Sequence, residues 1–74
     1  MGIDHSAVGR VGVITHATRG PAGPGEVMIS VRGGSEIFLA WSDDPIPKGT
    51  TVLSVASRGA RALDVVPWVD PAPE

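Results

Sequence analysis

Glu36–Val55, EIFLAWSDDPIPKGTTVLSV, holds the densest apolar run of the chain and its clearest turn between two extended segments. Ile37, Phe38, Leu39 and Trp41 are β-branched, aromatic or large, which suits a pleated, buried surface, and the run from Glu36 to Ser42 is too short for a helix of ordinary length. The pattern predicts a strand there. Asp43, Asp44, Pro45 and Pro47 stop it, because proline lacks an amide hydrogen and pushes the residue before it toward extended geometry. Lys48-Gly49 completes the turn, and Thr50 to Val55 begins a second strand with Thr51, Leu53 and Val55 on one face and Val52 and Ser54 on the other. Both faces of the first strand are apolar, so the pattern leaves open whether Leu39 and Trp41 or Phe38 and Ala40 point inward.

Working outward from this stretch, Glu26 to Arg32 alternates Val27, Ile29 and Val31 against Met28, Ser30 and Arg32, as a half-buried strand does. Gly33-Gly34 reads as a two-residue hairpin turn, since its central positions need φ > 0. Arg19 to Gly25, RGPAGPG, is a loop stiffened by two prolines, and Gly9 to Thr18 before it alternates as a first strand. Its G-x-x-G spacing is not a phosphate loop, because neither a following helix nor a Gly-Lys-Ser/Thr ending is present. Downstream, Ala56 to Ala60 holds a glycine turn and Arg61 to Pro67 a fifth strand, after which Trp68 is expected to fold back onto the end of the domain. Residues 1–8 read as a flexible leader, 9–68 as the folded domain and 69–74 as a flexible, proline-rich tail.

Five short strands and no segment long enough for a helix point to an all-β fold. A closed barrel is favoured, because closure removes the exposed edges of so small a sheet. The expected architecture is a five-stranded Greek-key barrel of the oligonucleotide-binding (OB) type, with an SH3-like barrel as the alternative. OB barrels commonly carry a helix between their third and fourth strands, and Asp43 to Gly49 is too short to hold one. The expected core is Val13, Val27, Ile29, Val31, Leu39, Val52, Leu53, Leu63 and Val65.

Composition narrows the function. The 74-residue chain is 42% hydrophobic, enough for one small domain with a thin core. Cysteine is absent, which excludes a disulfide framework and thiolate metal sites and fits either a reducing compartment or an exposed one that does not use disulfides; the cytoplasm is the expected location. No apolar run approaches the roughly 20 residues of a membrane helix. Net charge is −2, and from Gly9 to Pro67 six basic residues oppose five acidic ones, a balance that argues against affinity built on phosphate neutralisation. Two histidines, His5 and His16, have no cysteine or paired carboxylates around them to complete a metal set. The start MGIDHS fits the short N-myristoylation form, a match of too few positions to distinguish it from an ordinary terminus. No spacing poises a nucleophile beside a base, so no catalytic residue, cofactor site or metal site is assigned.

Several residues in order also carry a family resemblance. Gly9-x-x-Gly12, Pro24-Gly25-x-Val27, Ala40-x-Ser42, Ile46-Pro47-Lys48-Gly49-Thr50-x-Val52 and Leu63-x-Val65-x-Pro67 together resemble the C-terminal soluble domain of NfeD-like proteins, over nearly all of Gly9 to Pro67. The resemblance implies a compact OB-type barrel, carried in family members behind membrane helices and acting with stomatin- or flotillin-type membrane proteins. The matched positions are turn glycines, prolines and core aliphatics, so no catalytic role transfers. This chain has no membrane helix, and is expected to be an excised domain or a lone soluble relative, membrane-associated if part of a longer parent.

The function expected from these readings is a non-enzymatic protein-interaction module. Its contact surface is expected on the outer side of the second and third strands, with Met28 and Phe38 as the partner-binding residues, Phe38 being the aromatic hot spot. The alternative is a weak binder of single-stranded nucleic acid, using Arg19, Arg32, Arg58 and Arg61 along the groove that OB barrels present.

Overall fold

The computed structural model describes residues 7–31 and 33–68. Among these, the elements are β1 (Val11–His16), β2 (Gly25–Val31), β3 (Gly34–Trp41), β4 (Thr51–Gly59) and β5 (Ala62–Pro67), with a 3-10 turn, Gly20–Ala22, in the β1–β2 loop. The strands close into a barrel in the order β1-β2-β3-β5-β4, with β4 pairing back onto β1. β3 and β5 pair in parallel, while the other neighbours are antiparallel. A parallel pair needs a crossover, and here β4 supplies it: the chain leaves β3, crosses to β4 beside β1 and returns as β5. That is the Greek-key course of an OB barrel, and it sets the SH3-like alternative aside. The β3–β4 connection holds no helix.

The second hairpin differs from its expected form in where it turns. Val31 pairs with Gly34, so Gly34 belongs to β3 and not to the turn, and Gly33 takes the left-handed φ of +86°. The last hairpin differs more. β4 runs on through the expected turn to Gly59, with register breaks between Ser54 and Ala56 and between Ser57 and Gly59 that leave Val55 and Arg58 as the extra residues of two bulges. The turn itself is Ala60-Arg61, at φ 52° and 59°. Sequence periodicity marks neither bulge, because each extra residue breaks the alternation that identifies a strand.

Inside the barrel lie Ile14 of β1, Val27 and Ile29 of β2, Phe38 and Ala40 of β3, Val52 of β4, and Leu63 and Val65 of β5. The core expectation needs four corrections. Val13 and Leu39 face outward, Leu39 being 42% exposed, and Val31 and Leu53 are only partly buried. Ile14, Phe38 and Ala40 take the interior positions. The reason on β1 is Gly12: a Cβ there would lie 2.5 Å from Ile29 Cδ1 and 2.6 Å from the Met28 carbonyl oxygen, so the narrow interior is filled from β2 over a position that must stay empty. Gly12 therefore marks the inward face of β1, and Ile14 shares it.

Buried hydroxyls tie down both ends. At one end the Ile46 amide donates to Thr18 Oγ1 at 2.8 Å, the Thr18 amide donates to the Ile46 carbonyl at 2.9 Å, and Ser42 Oγ donates to the Asp44 carbonyl at 2.8 Å. Thr18 and Ser42 hydroxyl oxygens lie 2.6 Å apart. Because the Ser42 proton is committed to Asp44, Thr18 must donate to Ser42, which makes one directed chain across the two loops. At the other end, Ser54 Oγ bonds the Ala7 carbonyl and receives the Arg10 amide at 3.1 Å. Ala7 is fully buried and Val8 packs on the core, so residues 7 and 8 belong to the folded body and not to a leader. The rest of the expected leader, and the tail of residues 69–74, lie outside the described residues. Trp68 does not fold back; its amide continues the ladder to the Thr51 carbonyl at 2.9 Å and its side chain is exposed.

Candidate interaction surface

The outer face of β1–β3 is built by β2–β3 pairing without a break and by β1–β2 pairing that runs in register from Gly12 to Ile14 before it shifts between Ile14 and His16. Val13 pairs with Met28, and Met28 pairs with Ile37, so three apolar side chains stand in one rung across three strands on the solvent side. Leu39 extends the patch one step along β3, beside Glu26. On the other flank Val11 pairs with Leu53 and Leu53 with Val66, a second outward rung across β1, β4 and β5. All but Leu53 of these are large side chains left exposed. Apolar side chains scattered singly over a surface need no explanation; here the exposed ones adjoin in register.

Met28 is part of this face, and Phe38 is not. The β2–β3 ladder has no bulge; Phe38 stands opposite Val27 and is 3% exposed. The expectation of Phe38 as an exposed hot spot is corrected on that ground: it required a one-residue slip, and a slip would have carried every β3 side chain through the sheet. The observed turn moves the register by two residues from the expected one, which leaves the faces unchanged. Ile37, opposite Met28, and Leu39, expected in the core, are the surface neighbours of Met28 on β3.

Two arginines lie over two of the three aromatic rings, and the third, Trp68, is exposed. Arg61 Cζ lies 4.7 Å from the Phe38 ring centroid, its Nη2 donates to the Ile37 carbonyl at 2.9 Å, and its Nη1 lies 3.2 Å from Glu36 Oε1. Arg58, re-aimed by its bulge, places Cζ 4.7 Å from the Trp41 ring centroid and donates Nε–H to Asp64 Oδ1 at 2.7 Å. Of the four arginines considered for nucleic acid, Arg58 and Arg61 are thus paired with carboxylates, Arg19 sits in the β1–β2 loop, and Arg32 lies outside the described residues. Phe38 is buried and Trp41 has a guanidinium over one face, which leaves little stacking platform between them. His16 Nδ1 lies 3.1 Å from Glu26 Oε1, at the rim of the apolar face, and His5 is outside the described residues. Among the described residues no three His, Cys, Asp or Glu side chains converge as metal ligands, and no helix is long and apolar enough to cross a membrane.

Fold and surface together define a small OB-type barrel with an apolar outer face. The family model of the NfeD C-terminal domain matches residues 11–66. The chain belongs to that family. It is similar to a solved structure, the soluble domain of the NfeD protein YuaF from Bacillus subtilis, at 37% identity and a TM-score of 0.65, over 80% of this chain and 70% of that one. No curated protein matches the chain.

Proposed function

We propose that this domain is a non-enzymatic protein-interaction module, working in the cytoplasm as part of an NfeD-like membrane system. Its partner is a stomatin- or flotillin-type membrane protein, the class that the family resemblance implies. The observation that carries the reading is the rung Val13–Met28–Ile37, three neighbouring apolar side chains held outward by continuous pairing. Its borders are polar: His16 lies against Glu26 at one side and Arg61 pairs with Glu36 at another. A neutral apolar face of this kind suits an apolar partner surface better than a polyanion. The test is a titration of the isotope-labelled domain with the soluble part of a stomatin-type protein. Saturating shifts of the Val13, Met28, Ile37 and Leu39 amides support the reading. Sub-micromolar binding of an unstructured oligonucleotide at physiological salt would replace it with the nucleic-acid alternative.

A further inference from the structure

A second surface lies where β3 and β5 part company. Their parallel pairing ends at Trp41 with Asp64; beyond it the chain from Ser42 to Ile46 swings away while β5 continues to Pro67. The groove between them has a volume of about 170 Å³ and is lined by Asp43, Asp44, Pro45 and Ile46 on one side and by Val65 and Pro67 on the other. That is smaller than the roughly 300–1,000 Å³ of a site for a cofactor or drug-sized molecule, and is of the scale of one side chain.

The side chains that line the groove are rich in acceptors and poor in donors. Among the described residues, Glu26, Glu36 and Asp64 each have a basic partner, and Asp43 and Asp44 are the carboxylates without one. The Ser42 hydroxyl, the one side-chain donor on the lining, spends its proton on the Asp44 carbonyl. The β5 edge adds to the same balance. Trp68 donates its amide to Thr51, and alternate residues of an antiparallel ladder turn to the same neighbour, so Val66 faces β4 as well. The carbonyls of Val65 and Pro67 therefore face away from β4, toward the seam, and Pro67 has no amide hydrogen to accompany its own. Val65 turns its amide the same way, but Pro67, the next residue facing the seam, offers an added strand no donor, which speaks against a β-augmentation site.

We propose that this groove receives a cationic side chain, lysine or arginine, from a partner polypeptide: its aliphatic stem lies against Ile46, Pro45 and Val65, and its charged head meets Asp43 and Asp44. The loop is held for the purpose by the Thr18–Ser42 hydroxyl chain, and charge complementarity selects the guest. The inference goes beyond the reading of the β1–β3 face, and its failure would leave that reading untouched.

The probe is a blocked pentapeptide with one central lysine among alanines, titrated into the labelled protein, beside the same peptide with norleucine in place of lysine. The expected result is shifts confined to the amides of Asp43, Asp44, Ile46 and Val65, absent with norleucine. Affinity should weaken roughly fivefold or more in Asp43→Asn with Asp44→Asn, and should fall as salt rises. Equal shifts with norleucine, unchanged affinity in the asparagine variant, or no shift at the groove would each overturn the proposal. The peptide comparison needs only the parent protein, so it stands even if the variant misfolds.

Discussion

Arg61 lies across the ring of Phe38, 4.7 Å from its centroid, while its own backbone holds a left-handed φ of 59° next to Ala60 at 52°. The turn is thus strained at two non-glycine residues, and one of them repays the strain with the stacking contact and the bond to the Ile37 carbonyl. Left-handed geometry costs an L-residue roughly 1–2 kcal/mol, whereas a new glycine adds unfolded-state entropy worth about 0.4–1 kcal/mol. Ala60→Gly is therefore expected to raise stability by about 0.5–1 kcal/mol, and Arg61→Gly to lower it, because its clamp is lost. Paired urea melts check the opposite signs.

Gly12 and Gly34 should respond oppositely to alanine. At Gly12 the new methyl would collide with the Met28 carbonyl and Ile29, and overpacking of this kind costs about 1–3 kcal/mol. At Gly34 nothing lies within 4 Å and φ is not positive, so alanine should stabilise by about 0.4–1 kcal/mol. Thermal melts of the two variants check the contrast.

Thr18→Val removes a hydroxyl without changing shape. The Ile46 amide would be left buried and unpaired, at a cost of roughly 1–3 kcal/mol. Ser42→Ala should cost less, since Ser42 is only partly buried and water can reach its neighbours. Hydrogen exchange at the Ile46 amide should quicken markedly in the valine variant and only slightly in the alanine one.

How far the sequence reveals this molecule depends on which feature is asked about. Strand number, the absence of an α-helix among the described residues and the barrel class follow from apolar alternation and turn residues, because local chemistry sets them. Which face of a strand points inward is a different matter. On β3 both faces are apolar, and only pairing of Phe38 with Val27 decides it. On β1 Val11 and Val13 point outward while Gly12 and Ile14 point inward, since the interior has no room for a side chain at position 12. The bulges at Val55 and Arg58, which aim Arg58 at Trp41, arise from strand coiling and leave no local signal. Met28 was legible as a surface residue; Ile37 and Leu39 were hidden among core-like neighbours, and the signal that could have found them was their shared parity with Met28 across the hairpin.

The most direct test of the interaction face separates it from the core. Met28→Lys with Ile37→Glu replaces an apolar cross-strand pair by an opposite-charge pair, which a sheet tolerates. Val27→Ala removes buried area worth roughly 1.5–3 kcal/mol, or roughly 4–8 °C of melting temperature per kcal/mol. Affinity for the stomatin-type partner and melting temperature are then measured on both variants. The account predicts that the surface pair loses binding at a nearly unchanged melting temperature, while Val27→Ala melts lower but still binds below its transition. Full binding by the Met28→Lys, Ile37→Glu variant would contradict it.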